Sequence, residues 1–288
     1  MQLGRLGVWY PTDRLDAASL AYYVKRVEAL GYSSIWYPES TGYESFALAS
    51  YLLQQSRNLT IGSSIANLYA RDPVTARNGL YTLSQQSGNR FILGLGVSHK
   101  PNVEGVRGHI YDKPVPTMRA YLEVIAKASD SAAASRPVMI AALGPGMLKL
   151  AASHAWGALP YNVTPEHTRR ARAALGSDKW LVVEQMVCLS DDLERARKAK
   201  RQELARYMVL DNYRNNWLSL GFSEQDLAQG GNDRFLDAMV ASGGVAAIRA
   251  RLDEHFAAGA NQVAIQPIHP ELKPEIDWRC LEALAPGG

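Results

Sequence analysis

Short runs of β-branched and aromatic residues alternate with amphipathic stretches from one end of this chain to the other. That alternation predicts parallel strands joined by helices. Strands are expected at Leu6 to Tyr10, Ser34 to Pro38, Leu59 to Asn67, Phe91 to Val97, Val138 to Leu143, Gly157 to Tyr161, Trp180 to Leu189 and Gln262 to Gln266. Between them, apolar residues recur at helical spacing, as in Leu20, Val24, Val27 and Leu30. Punctuation supports the helices. Asp16 can cap the first and Gly31 end it, while Asp72 followed by Pro73 starts a helix that stops near Gly88. Further helices are expected over Glu44 to Gln55, Thr117 to Ser129, Met147 to His154, Pro165 to Leu175 and Val245 to Ala258. The SAAAS stretch before Arg136 reads as a surface linker.

About eight strand and helix pairs is the number needed to close a (β/α)8 TIM barrel, an α/β fold in which functional groups collect at the C-terminal strand ends. One domain spanning 1–288 is therefore expected. The rhythm fails between 206 and 244, where polar residues mix with Trp217, Leu220 and Phe222. A long insertion in a barrel is usually functional, so this segment is expected to form a partly helical lid.

Composition narrows the partners. The 288 residues are 47% hydrophobic and 20% charged, the balance of a globular protein with a sizeable core. A net charge of +3 with no basic stripe argues against nucleic acid, and the run from Arg195 to Arg206, broken by Glu203, reads as a solvated helix face. The N-terminus lacks a signal-type apolar region and no stretch is long enough to cross a bilayer, so a cytoplasmic protein with no membrane partner is expected. Cys188 and Cys280 have no metal or redox spacing and read as core thiols. The six histidines show no HxxxH pattern, so no metal is expected, and no GxSxG elbow is present.

Three segments carry candidate chemistry. In the first, IGSSIANLYARDP (61–73), the third strand runs out. The second, FILGLGVSHKP (91–101), brings Gly96, Val97, Ser98 and His99 to the exit of the fourth strand. Glycines there permit either close ligand approach or close strand packing. His99 suits proton donation beside a reacting centre, and equally suits an exposed loop. The third segment contains Ala142-Leu143-Gly144-Pro145-Gly146-Met147 between a strand and a helix. Its small residues let backbone N–H groups approach a phosphate, although a tight turn before a helix has the same composition. It is neither a Rossmann fingerprint, since Lys149 stands at the third glycine position, nor a Walker loop.

In this order and spacing the three segments resemble the bacterial luciferase-like superfamily, and in particular its F420-dependent oxidoreductase branch. The resemblance covers essentially the whole chain. It implies hydride transfer between reduced coenzyme F420 and a small organic substrate. An FMN-dependent monooxygenase is the alternative, and a non-catalytic flavin-binding barrel a further one. It also implies a homodimer and a cofactor ring placed against a bulge, often with a non-prolyl cis peptide, that falls here on Ser64 and Ile65. The Ala142 to Met147 segment becomes the phosphate grip, with Tyr161, Asn162 and Thr164 beside it. Many F420 enzymes of the family carry Asp-His at the second strand end, where this chain has Glu39-Ser40. Glu39 can still hydrogen-bond a ligand, but Ser40 cannot replace an imidazole. Trp9, Ser40, Gln185 and Gln266 are candidate substrate-pocket residues, the two amides because buried polar groups need partners. Arg71, Lys100, Lys113 and Lys149 are candidates for holding an oligoglutamate tail.

Overall fold

The computed structural model describes residues 3–127 and 137–287. Eight parallel strands close a (β/α)8 barrel: β1 (Leu6–Trp9), β2 (Ser34–Tyr37), β3 (Thr60–Ser63), β5 (Phe91–Gly96), β6 (Val138–Ile140), β7 (Gly157–Ala158), β8 (Trp180–Leu189) and β10 (Gln262–Pro267). The ring is completed where β10 lies between β8 and β1, with Ala264 opposite Glu184 and Gly7 opposite Ala264. Every residue of β2, β3, β5 and β10 is buried, because helices cover the outside while side chains fill the inside.

The barrel interior is solid below its mouth. Trp36 fills it over Gly62, where a Cβ would stand 2.3 Å from the indole ring. The Trp36 indole N–H is satisfied by Gln262 Oε1 at 2.8 Å and Ser34 Oγ at 3.0 Å, which removes the cost of burying it. Trp9, Ile92, Met139, Leu159, Val182 and Ala264 complete this inner cluster.

Local chemistry explains the outer helices α1 (Ala17–Ala29), α2 (Ser45–Gln55), α3 (Pro73–Ser87), α4 (Pro114–Ala126), α5 (Pro145–His154) and α6 (Pro165–Leu175). Asp16 caps α1 through the N–H of Ser19, and Leu20, Tyr23, Val24 and Val27 turn one stripe to the barrel. Asp72 accepts from Val74 and Thr75 with Pro73 at the first position of α3, and Gly88 ends it at φ 64°. The linker expected at 131–135 and the end of the helix expected to reach Ser129 lie outside the described residues.

Three features depart from the sequence pattern. The third strand is not continuous: β3 stops at Ser63, the Ser64–Ile65 peptide is cis, and β4 (Ala66–Asn67) resumes beside β5. A π-helical stretch, Pro101–Val106, follows β5. The segment expected to be an insertion continues from α7 (Leu193–Met208) into α8 (Asp211–Ser219), α9 (Glu224–Leu227) and α10 (Asp233–Met239). It then supplies a strand, β9 (Val240–Gly243), that pairs in parallel with the second half of β8. These elements form a second apolar cluster around Trp217, Phe235, Leu236 and Leu204, with Met186 and Cys188 of β8 beneath. Beyond β9, α11 (Val245–Ala257) leads to β10, and α12 (Trp278–Ala283) closes the chain, burying Cys280. Both cysteines are buried and free. No described helix is long and apolar enough to cross a membrane.

Candidate functional site

The break in the third strand shapes one wall of the barrel mouth. The Trp9 indole N–H donates to the Ser64 carbonyl at 3.2 Å, and Glu39 N–H donates to the Ile65 carbonyl at 3.1 Å. Ile65 lies directly over Gly96, where a Cβ would come within 2.4 Å of Ile65 Cγ1. At Gly94 a Cβ would come within 2.0 Å of the Ser63 carbonyl oxygen. The two glycines of β5 are thus required by the neighbouring strand, whatever a ligand asks of them.

Glu39 is committed to the same wall. Its carboxylate pairs with the Arg71 guanidinium, accepts Asn67 N–H at 2.7 Å and accepts Ser45 N–H at 3.3 Å. The two side chains are 3% and 6% exposed, which makes this a buried, fully hydrogen-bonded ion pair. Both carboxylate oxygens are occupied, so Glu39 holds Arg71 and the chain at Asn67 and is not poised to move a proton. Arg71 is likewise engaged by Glu39 and Glu44, which removes it from the candidate tail contacts; Lys100, Lys113 and Lys149 remain exposed. Ser40 is exposed on the rim of a cleft of about 800 Å³ that Tyr43, Tyr69, Arg107 and His109 also line.

Opposite stands an aromatic wall. Tyr161 packs 5.0 Å from Trp9, its hydroxyl donating to Gln266 Oε1 at 2.9 Å and lying 2.8 Å from the Tyr207 hydroxyl. Tyr213 of α8 packs on Tyr161 and Tyr207 and, at 5.7 Å, on His99. Half-buried His99 accordingly titrates below the ordinary histidine value, because burial outweighs its hydrogen bond with Asn212. Its neighbour Ser98 takes the left-handed backbone at φ 55°, an uncommon state for a residue with a side chain.

The segment Ala142 to Met147 turns into α5. Gly144 is the N-cap, no side chain caps the helix, and Pro145 occupies its first position. The N–H groups of Gly146 and Met147 therefore start the helix without an intrahelical partner, which suits an anion. Space above Gly144 is open, since a Cβ there meets nothing within 4 Å. His167 holds this turn from below, its Nε2 lying 2.9 Å from the Leu143 carbonyl. Burial keeps His167 below the ordinary histidine value and hence neutral, so Nε2 carries the proton that this carbonyl accepts. Thr164 caps α6 through His167 N–H, and buried Asn162, at φ 55°, leaves its Nδ2 without a partner.

Alternation along β8 corrects one expectation and supplies a missed residue. Gln185 faces outward, not into the mouth. Its Nε2 donates to the Met186 and Met239 carbonyls at 2.8 and 3.0 Å, and its Oε1 lies 2.8 Å from His255 Nε2. Glu184, one position earlier, shares the inward face with Val182 and is 4% exposed. Its Oε2 accepts Asn162 N–H at 3.1 Å and its Oε1 has no partner. Burial raises this carboxyl to about 8, against the Asn162 N–H and the charge of Arg206, so it is protonated at neutral pH. A buried acid on an otherwise apolar strand was the signal available in the sequence, and the neighbouring amide drew it away.

The mouth thus offers a shaped apolar wall at Ile65 and Gly96, an aromatic wall opposite, orphaned polar atoms at Asn162 and Glu184, and free N–H groups at the start of α5. A family model described as luciferase-like monooxygenase matches residues 1–262. The chain belongs to that family. The 5,10-methylenetetrahydromethanopterin reductase of Archaeoglobus fulgidus is 26% identical over an alignment covering 94% of this chain and 96% of that protein. Two solved structures share the fold. An F420-dependent secondary alcohol dehydrogenase in complex with an F420-acetone adduct superimposes with TM-score 0.74 at 14% identity, covering 99% of this chain and 97% of its own. The oxygenating constituent of 3,6-diketocamphane monooxygenase of Pseudomonas putida, in complex with FMN, gives 0.70 at 12% identity, covering 98% and 96%. The Ser64–Ile65 cis peptide occupies the position that the family resemblance assigns to a bulge against the cofactor.

Proposed function

We propose that the protein is an F420-dependent oxidoreductase acting on a small organic substrate, and that it works as a homodimer in the cytoplasm. The observation carrying the reading is the pairing of an apolar shelf, Ile65 over Gly96, with orphaned polar atoms and free helix N–H groups across the same barrel mouth. A flat tricyclic ring with a phosphorylated tail is complementary to that set. Ile65, Gly96, Val97 and Ser98 would hold the ring, and Ala142 to Met147 with Asn162 would hold the phosphate. Bound there, the deazaflavin would supply hydride chemistry, the protein supplying orientation and exclusion of water. The relative named as a 5,10-methylenetetrahydromethanopterin reductase, matched over nearly its whole length, supports a reductase.

In this reading Trp9, Tyr161 and Gln266 wall the substrate side, and the helices from 206 to 239 cover it as a lid. His99, packed on Tyr213 of that lid, would donate a proton beside the substrate. The second reading, an FMN-dependent monooxygenase, is supported by the family description and by the neighbour that holds FMN. Parallel titration of the purified protein with F420 and with FMN, followed by ligand fluorescence, separates the two. Selective F420 binding is the expected result, and selective FMN binding would replace it with the second reading.

A further inference from the structure

Two buried polar groups at the mouth have unused hydrogen-bonding capacity and belong to one local arrangement. Asn162 lies at the exit of β7, where its own N–H donates to Glu184 Oε2 while its Nδ2 is unpartnered. Glu184 offers Oε1, equally unpartnered, from the inward face of β8. Such groups are costly to bury, so two of them joined by a hydrogen bond between neighbouring strand ends mark a place where a ligand supplies the missing partner.

We propose that the carboxyl of Glu184 and the amide of Asn162 form a paired donor for one oxygen of the bound flavin-type cofactor, and that tight binding requires a proton on Glu184. The proposal rests on the function given above. A carboxylate has no hydrogen to donate, and ionised it would repel an electron-rich cofactor oxygen. Burial keeps the group neutral up to about 8, so the donor is present at neutral pH and lost above it. The ionisable groups facing it are Tyr161 beyond β7, Arg206 and Tyr207 of α7, and Tyr213 of α8. All three tyrosines titrate above their ordinary value through burial and stay neutral over the same range, and Arg206 is the one charge acting on Glu184 from these elements. The proton on Glu184 is therefore the switch in that range.

Glutamine retains both a donor and an acceptor without titrating, so Glu184→Gln isolates the proton. The dissociation constants of F420 and of FMN would be measured for wild type and Glu184→Gln from pH 6 to 9.5. For whichever cofactor binds, the wild-type constant is expected to rise about tenfold per pH unit above about 8. Glu184→Gln should keep the neutral-pH affinity within about threefold and lose that rise. The cofactor's own ionisations act equally in both proteins and cancel in the comparison. A flat wild-type profile, or the same slope in Glu184→Gln, overturns the proposal.

Infrared difference spectra of the wild type supply a measurement that does not depend on the variant folding. A neutral carboxyl band should be present at pH 7 and move to lower frequency when cofactor saturates the protein. A missing or unmoved band overturns the proposal. Binding of FMN alone overturns the F420 reading and leaves this proposal to be judged on the FMN titration. Binding of neither overturns both.

Discussion

The Arg71 guanidinium donates from Nη1 to Glu39 Oε2 at 2.9 Å and also pairs with the other carboxylate oxygen, joining the exit of β2 to the chain beyond β4. Because both side chains are almost fully buried, removing Arg71 leaves the Glu39 carboxylate with two backbone N–H groups but without its countercharge. Arg71→Met should destabilise the protein by about 3–5 kcal/mol, whereas Glu39→Gln combined with Arg71→Met should recover a large part of that loss. Urea denaturation midpoints of the two variants decide it. Equal loss in both would mean that the residues act independently.

The two glycines of β5 give opposite predictions from one strand. A Cβ at Gly94 meets a backbone carbonyl oxygen, which cannot move without displacing β3. Gly94→Ala should therefore cost roughly 1–3 kcal/mol. At Gly96 the obstacle is the Ile65 side chain, which can rotate away at smaller cost. Gly96→Ala should keep most of the stability and reduce cofactor affinity by about tenfold or more, because the displaced Ile65 would crowd the shelf proposed to face the cofactor. Thermal melts beside cofactor titrations test both, and an unchanged affinity in Gly96→Ala would remove Ile65 from the binding wall.

Much of the barrel is written in the chain because its rules are local. Asp72-Pro73 and Gly88 bound α3, and β8 runs over the predicted Trp180 to Leu189. What escaped depends on distant partners. β9 is a strand because the upper half of β8 has a free edge, a fact absent from the Val240–Gly243 sequence itself. The interruption at Ser64 and Ile65 lies inside a segment whose apolar run reads as one strand. In the site, Gln185 and Glu184 differ by one step of a two-residue period, and residues buried on both faces of β8 give no pattern to say which step faces inward. Glu39 was legible as a polar group at the mouth. Its engagement by Arg71 was not, since the two lie 32 positions apart.

From Glu184 and His255 together, stability should be greatest on a plateau between about 4.5 and 6.5, limited on each side by a different residue. Glu184 ionises at about 8 when folded and near 4.5 when unfolded, so the folded state binds the extra proton between these values. Stability from this group is complete at low pH and is lost as pH rises toward about 8. Buried His255 runs the other way: burial lowers it from 6.5 to about 3, so its contribution is present above 6.5 and lost as pH falls toward about 3. Melting temperatures across pH 3 to 9.5 should show both limbs. Glu184→Gln should be more stable than wild type at pH 9 by roughly 2 kcal/mol or more and lose that advantage by pH 5, and an unchanged alkaline limb would contradict the assignment.

Trp217 ties the 206–244 segment to the barrel mouth through a directed bond. Its indole N–H donates to the Asn162 carbonyl at 3.1 Å, while its ring lies edge-on to Phe235 at 4.9 Å inside the second apolar cluster. Trp217→Phe keeps an aromatic ring in the cluster and removes the donor, leaving a buried carbonyl unsatisfied at a cost of about 1–3 kcal/mol. The loss should be local, because that cluster is separate from the barrel interior. Amide hydrogen exchange should accelerate across α8, Asp211–Ser219, and leave β2 and β5 unchanged. Cofactor affinity should fall as well, since Asn162 loses the contact that holds it at positive φ. Faster exchange throughout the barrel would show instead that the segment is an inseparable part of the core.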